Sequence, residues 1–588
     1  MNKNVIKKYR LKTIAVLAAI MLVFTGCSAN AASAQTNESG TITTSQETVT
    51  VESKSEMFTE RDLSGDYDES SAVSITLSGN SASVNGSGAE ADGSTITITQ
   101  EGVYVVSGTL TDGMIIVDAD DAAKVQIVLK DASITSSTSA ALYVKSADKV
   151  FVTTAAGTTN TLANGGTFTA IDDNNIDAAV FAKDDITFNG SGSLTITSPA
   201  GHGIAGKDDV KIAGGDIEIT AAKHGIQAND SARFAEANVT IKAGTDGVHV
   251  SDDADAEEGT ASDSYFYIAD GTLTISAGDD GIHADAKAQI EGGTINITES
   301  YEGIEALAIE LKGGDVKVTA QDDGLNAAGG NTTSNNSDTF GSDDWSGGKG
   351  GFPGGGGFSD GGSDGSIVIS GGSTYIQAGG DGIDSNGSVE ISGGYTVVNG
   401  PTQGDTSVLD YNTTATVTGG TFIGTGGAGM ASNFSGAENQ AIIAVSAGNQ
   451  SAGSTVTLKD SSGNTVAECT PELDYAVVYI SSPDVQQGST YTLTAGNYSE
   501  TLEITESVYG TLGGAGGRGP RGMTGDNGQN GFGGPNGSEN GNGMNGGGMH
   551  GNGMGGRGRG PGMEHEGQTG QPDAQTGATQ LLGDGDPA

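Results

Sequence analysis

Cysteine is nearly missing from this chain: two residues, Cys27 and Cys469, among 588. No disulfide framework can be built from them. Basic residues are scarce as well, 26 Lys and Arg against 74 Asp and Glu, for a formal net charge of −48. Binding to DNA, RNA or anionic lipid is disfavoured, because phosphate contacts need Lys and Arg. Aromatics are only 5 % of the chain, with one Trp. An acidic chain poor in aromatics can be disordered, but Val, Ile, Leu and Thr recur here with a clear period over most of the length. What is abundant is glycine, 99 residues. Each interior Gly costs a helix roughly 1 kcal/mol against Ala, so a helix-rich enzyme is excluded and a Gly-rich, Asp-rich β protein is expected.

There is no long apolar run either. Ile14 to Phe24 follows the basic stretch Lys3, Lys7, Lys8, Arg10 and Lys12 and ends in Thr25-Gly26-Cys27. The run is too short to span a membrane and reads as a secretory signal over residues 1–26. Its ending resembles the bacterial lipoprotein signal, which implies lipidation of Cys27 and a place on the outer face of the cell membrane. Residues 27–56, rich in Ser, Thr and Glu, read as a flexible tether.

The middle of the chain repeats. Aligned on a small turn triplet, the copies begin at His202, His224, Asp246, Asp280, Glu302, Asp323 and Asp381, each followed by Gly and an aliphatic residue. The steps are 22, 22, 34, 22, 21 and 58 residues, the long ones holding insertions at 251–263 and 327–365. A Gly turn followed by an alternating strand keeps the same phase, as in Gly292-Gly293-Thr-Ile-Asn-Ile and Gly313-Gly314-Asp-Val-Lys-Val. A third short strand, such as Val210-Lys211-Ile212, lies between. One such unit cannot bury its apolar residues alone, whereas stacked units share an interior and pair in parallel above and below. Leucine-rich repeats have a similar period, but their Leu pattern and Asn ladder are absent. The expected fold is all-β, a parallel β-helix of about 22 residues per coil over 57–433, with glycine giving positive φ at the corners. At about 4.8 Å per coil, ten or more coils give a rod on the order of 50–60 Å. Strands in 58–110 read as an entry cap. Residues 434–508 read as a small antiparallel β domain, and 509–588 as a disordered Gly-rich tail.

Stacking places the turn residues in columns. The first runs His202, His224, Asp246, Asp280, Glu302, Asp323, Asp381. The second, three residues on, runs Ala205, Gln227, His249, His283, Glu305, Asn326, Asp384. Asp279 and Asp322 add acids just before the turn. Asp-Gly is also a common turn pair in its own right. Like charges about 5 Å apart repel, and a hard cation with oxygen ligands removes the repulsion. The expected Ca²⁺ ligands are Asp246, Asp279, Asp280, Glu302, Glu305, Asp322, Asp323, Asp381 and Asp384. The four histidines make no zinc motif and read as stacked turn residues. Sugar-stacking candidates are Trp345 and the pair Tyr375 and Tyr395, which are expected at matching strand positions. No Ser/His/Asp or Cys/His constellation and no phosphate loop is visible.

The arrangement resembles a clostridial family of surface carbohydrate-binding proteins with a pectate-lyase-like, right-handed parallel β-helix. The residues that carry the resemblance are Met57-Phe58-Thr-Glu-Arg-Asp62, the coil Ala-Gly-Asp279-Asp280-Gly-Ile-His283-Ala, the Gly-rich insertion before Ile367, and Thr455-Val-Thr-Leu-Lys-Asp-Ser-Ser-Gly463. The resemblance implies binding of cellulose or acidic plant polysaccharide, calcium in the coils, and no established catalysis. His202 and His224 depart from the acidic pattern. Two other readings stand beside it. A calcium-dependent pectate-type lyase needs a Lys or Arg base near the cation, for which Lys223, Arg233, Lys242 and Lys287 lie in suitable coils. A structural surface adhesin would use the coils only to present the insertions.

Overall fold

The computed structural model describes residues 54–251, 263–327, 365–401, 406–510 and 512. The signal segment, Cys27, the tether up to residue 53, nearly all of both insertions, Trp345 and the tail beyond its first residues lie outside the described residues.

Strand is the dominant regular structure among the described residues, which hold only two four-residue helices, Lys54–Met57 and Glu60–Leu63. Most strands belong to one large sheet whose pairings are mainly parallel. The rule of pairing is simple: a strand pairs with its counterpart one coil later, with two other strands between them in sequence. Ser193–Ser198, Asp216–Ala221, Asn238–Ala243, Thr272–Ser276, Thr294–Glu299 and Asp315–Ala320 pair in succession and form the first stack. His202–Gly206, Ile226–Ala228 and Val248–Val250 begin the second, and Val210–Ile212, Ser231–Phe234 and Tyr265–Ile268 the third. Where the turn between second and third strands is short, one strand serves both. In Ile304–Leu311, Ile304 and Glu305 pair with Leu325 and Asn326, while 308–311 pair with Ser366–Ile369.

Alternation along the first stack explains the fold. Ile217, Val239, Leu273, Ile295 and Val316 are in register, as are Ile219, Ile241, Ile275, Ile297, Val318 and Ile376, and all are buried. Each such side chain contributes roughly 1.5–3 kcal/mol when withdrawn from water. Their outward neighbours, such as Glu218, Thr240, Thr274 and Asn296, are polar. The register offsets reproduce the sequence steps across both insertions, which leave from the same corner, between second and third stacks. That corner is where added residues do not break a pairing.

Glycine needs a correction. The second Gly of each Gly-Gly turn does take positive φ, as at Gly293 (φ 80°). The Gly of the acidic turns does not. A Cβ at Gly281 would lie 2.6 Å from the Gly303 carbonyl oxygen and 2.7 Å from Ile297. Glycine is required there by close approach between coils, not by backbone conformation.

Both ends of the parallel stack are finished by antiparallel strands. At the start, Val73–Gly79 pairs with Ser81–Asn85, and Ala89–Asp92 with Thr95–Ile98. At the far end Tyr475–Ser481 runs antiparallel to Thr421–Gly426 and also to Ile442–Gln450. Strands within 456–469 and 490–503 add a separate four-stranded antiparallel sheet. Residue 434 is not a break in packing, since Val397 and Ile423 of the coils share one apolar cluster with Ile443, Val456 and Leu493.

The first described residues are a strap, not a loose tether. Lys54 pairs with Glu236 and Asp270. Met57 and Phe58 pack on Ala213, Ala235 and Tyr267 of the third stack. The helix Glu60–Leu63 is capped by Thr59, whose hydroxyl accepts the Asp62 N–H while the Asp62 carboxylate accepts the Thr59 N–H. The Asn189 amide donates to the carbonyls of Arg61, Asp62 and Ser64. These contacts account for the Met-Phe-Thr-Glu-Arg-Asp opening.

A carboxylate and imidazole edge as the candidate metal centre

The two columns read from the sequence lie on the edge between the first and second stacks. In the first, the glycine N–H of one coil donates to the turn carbonyl of the next: Gly225 to Asp246, Gly247 to Asp280, Gly281 to Glu302, Gly303 to Asp323, Gly324 to Asp381. The second column is in register from Gln227 through His249, His283, Glu305, Asn326 and Asp384. One more coil extends both. Gly382 donates to Ser407, and Asp410 pairs with Asp384. The sequence reading missed these two residues because Val408 stands where the triplet has glycine. Leu409, in the aliphatic position, was the remaining signal.

Asp in the first column has two uses. One oxygen accepts the backbone N–H of the following coil's turn residue: Asp246 from Asp280, Asp323 from Asp381, and Asp381 from Ser407. This is the turn-forming role. The other oxygen is left for the edge. There Asp323, Asp381 and Asp384 each offer a ligand atom within 4.8 Å of the others, as do Asp280, His283 and Glu305.

Crowding shows in the acidities. Burial, followed by the charges of Glu305 and Asp280, pushes Glu302 up to about 10. Burial, with Asp381 and Asp384 nearby, pushes Asp323 up to about 8. Burial and the charges of Asp384 and Asp410 raise Asp381 to about 8 against the Ser407 N–H that favours its anion. Asp280 reaches about 8 through burial and the charges of Asp246 and Glu305, opposed by His283. Asp279, just before the turn and exposed, is raised by partial burial and the charge of Asp246. In contrast, His283 contacts Glu305 at 2.8 Å and Asp280 at 3.3 Å. Despite burial, those partners raise His283 well above its ordinary value, and its hydrogen bond holds Glu305 low.

One atom in this part of the edge lacks a partner. Asn326 is buried, its amide nitrogen donates to Glu302 at 2.8 Å, and its Oδ1 accepts nothing among the described residues. An oxygen acceptor buried among carboxylates suits a cation and not another acid. The donor set Asp280, Glu302, Glu305, Asn326, Asp323, Asp381 and Asp384 therefore fits a hard divalent ion.

The first part of the edge is different. His202, His224, His249 and His283 form a continuous ladder of stacked rings with centroids 4.9, 4.4 and 4.8 Å apart. Asp246 sits between His224 and His249, its Oδ2 at 3.2 Å and 2.6 Å from their Nδ1 atoms. Those two hydrogen bonds outweigh burial and hold its carboxyl well below the usual range. A further acidic group, Asp208, Asp209 and Asp230, lies at the corner between second and third stacks. The doubled acids Asp184-Asp185 and Asp208-Asp209 were its unused sequence signal.

The aromatic expectation changes. Tyr375 is in register with Val397, and Tyr395 with Ser373, so the two tyrosines are not at matching positions. Tyr375 packs against the terminal apolar cluster, and burial with Glu472 pushes its phenol up to about 12. Tyr395 is 43 % exposed, and Tyr301, beside Glu302, is 38 % exposed and hydrogen-bonded to Asp322. The basic residues considered for a lyase are dispersed: Lys223 pairs with Asp177, Arg233 with Asp209, and Lys287 with Glu310.

Residues 92–343 match the model of a family described as carbohydrate-binding domain-containing protein. A protein of Acetivibrio thermocellus with that same description is 38 % identical over 128 residues, which are 21 % of this chain and 45 % of that protein. The match thus spans less than half of the relative. A solved structure described as the polysaccharide lyase-like protein from C. thermocellum, in a gadolinium derivative, is 30 % identical and covers 44 % of this chain and 98 % of its own, with a TM-score of 0.36. The family match supports a carbohydrate-binding role, and the clostridial source of the relative fits the resemblance.

Proposed function

We propose that this chain is a non-catalytic surface protein that binds plant cell-wall polysaccharide of the cellulose or pectin type. The binding element is a right-handed parallel β-helix stiffened by Ca²⁺ and anchored to the outside of the cell membrane through lipid on Cys27. The observation that carries the calcium part is the stacked oxygen edge from Asp280 to Asp384, with the unpartnered Oδ1 of Asn326 inside it. The ligands are Asp280, Glu302, Glu305, Asp323, Asp381 and Asp384, with Asp279 and Asp322 at the rim. Asp246 stands among nitrogens and takes a separate role. Calcium supplies charge neutralisation there, tying successive coils together and letting an acidic glycan approach an acidic edge. Tyr301 and Tyr395 offer exposed rings for sugar stacking.

The test is retention of the full chain on insoluble cellulose and pectin with and without chelator, read together with product absorbance on pectate. Retention and melting temperature fall with EDTA and recover with Ca²⁺. If neither changes, calcium has no part in binding. Unsaturated product appearing with pectate and Ca²⁺ replaces the binding role with a lyase.

A further inference from the structure

The edge changes donor chemistry along its length. From Asp280 onward its ligand atoms are oxygens apart from His283, whereas the coils before it offer imidazole nitrogens around one carboxylate. We propose that His224, Asp246 and His249 form a second metal site, one for a borderline divalent transition ion of the Zn²⁺ class, separate from the hard-cation edge.

Three observations converge. One ligand atom from each of the three residues lies within 4.8 Å of the other two. Two imidazoles and a carboxylate suit zinc, nickel or cobalt far better than calcium. The His224 Nδ1 is also crowded by three polar neighbours, the nearest being the Thr245 hydroxyl at 2.9 Å. At 3.3 Å it faces the backbone N–H of Asp246, which calls for a lone pair on the nitrogen. At 3.2 Å it faces the Asp246 carboxylate, which calls for a proton. A divalent ion would take that lone pair and the anionic oxygen together, displacing the longer Asp246 N–H contact and the Thr245 hydroxyl from the nitrogen. The third observation is one coil earlier, where the His202 ring stacks on His224. His202 is 5 % exposed, and its Nδ1 has no partner among the described residues. The nitrogen part of the edge is thus short of an electrophile, as the oxygen part is at Asn326.

Stacking enforces the site. Parallel register fixes His249 one coil above His224, with the rings inclined by only 16°. Asp246 is held from the other side by the Asp280 N–H on its Oδ1, which leaves Oδ2 facing both rings. Three protein ligands with further positions open to water is the ordinary composition of an exchangeable zinc-type site.

The experiment titrates chelator-stripped full chain with Co²⁺, followed by its visible absorption, and then displaces it with Zn²⁺. Two further histidines, His550 and His565, lie in the tail. The comparison is therefore between H224Q/H249Q and H550Q/H565Q. The tail variant keeps parental Co²⁺ binding, and the ladder variant loses at least about tenfold in affinity while its Ca²⁺ uptake is unchanged. Parental Co²⁺ binding by a folded H224Q/H249Q, or its loss in H550Q/H565Q, overturns the proposal. A measurement on the unmutated chain guards against a misfolded variant. Zn²⁺ protects His224 and His249 from diethyl pyrocarbonate, mapped by peptide, and equal modification with and without Zn²⁺ also overturns it.

Discussion

The carboxylate of Asp62, with no exposure to solvent, lies 2.7 Å from the Lys149 ammonium, across 87 residues of sequence. Lys211 approaches the same carboxylate at 4.0 Å, and the Thr187 hydroxyl donates to it at 2.9 Å. The pair joins the strap to the third stack. Breaking a buried ion pair by removing one partner costs about 3–5 kcal/mol, because the other charge is stranded. D62A therefore lowers unfolding free energy by about that amount in denaturant titration, and K149A does so to a similar degree.

The same pair sets an acid limit. Although burial opposes it, Lys149 holds Asp62 down at about 2. A depressed carboxylate contributes stability that is complete above its unfolded value near 3.8 and is lost as pH falls toward 2. Thermal melts between pH 5 and pH 2 should show a shallower acid loss in D62N than in the parent, on top of its lower plateau.

The oxygen edge predicts the opposite slope. Asp280, Asp323 and Asp381 are raised to about 8 and Glu302 to about 10 without metal. Groups with raised values bind protons in the folded state that the unfolded chain releases, so stability falls as pH rises. Chelated protein should melt lower at pH 9 than at pH 6, and Ca²⁺ should remove the difference. Calorimetric titration in buffers of different ionisation enthalpy should detect proton release when Ca²⁺ binds near pH 7.

Glycine at the acidic turns is a packing requirement. G281A forces a Cβ against the next coil's carbonyl and Ile297, and overpacking of this kind costs about 1–3 kcal/mol. G293A pays for left-handed backbone, about 1–2 kcal/mol, in addition to a close approach of its Cβ to the Gly271 carbonyl oxygen at 2.9 Å. Denaturant midpoints measure both. Only G281A should also weaken Ca²⁺ binding, since it displaces Glu302 and its neighbours.

Sugar stacking separates the tyrosines. Y301A and Y395A should reduce retention on cellulose or pectin with unchanged melting temperature, because both rings are exposed. Y375A should lower the melting temperature, because its ring packs into the terminal cluster. Sedimentation with insoluble polysaccharide and a thermal melt of each variant distinguish the cases.

Much of this was legible in residue spacing. A parallel stack must repeat its register, so the offsets between Asp246, Asp280, Glu302, Asp323 and Asp381 in sequence are the offsets between paired strands. What spacing does not contain is direction and depth. It placed His249 and His224 in different columns and did not show that their rings meet over Asp246. It paired Tyr375 with Tyr395, although a shift of two residues keeps the same face and changes the neighbour. Residues 54–56 of the strap were read as tether because Lys54 finds its partners in coils far along the chain, and no local pattern reports such contacts.

The strand reversal at Tyr475–Ser481 has a consequence for length. A parallel stack offers its last strand as a template for one more, with nothing in the coil geometry to stop copies of the chain from adding end to end. By crossing Thr421–Gly426 in the opposite direction, with its other edge covered by Ile442–Gln450, this strand leaves the next comer no parallel edge to pair with. The number of coils is thus a property written into one chain, and a truncation before residue 475 would leave a surface that grows.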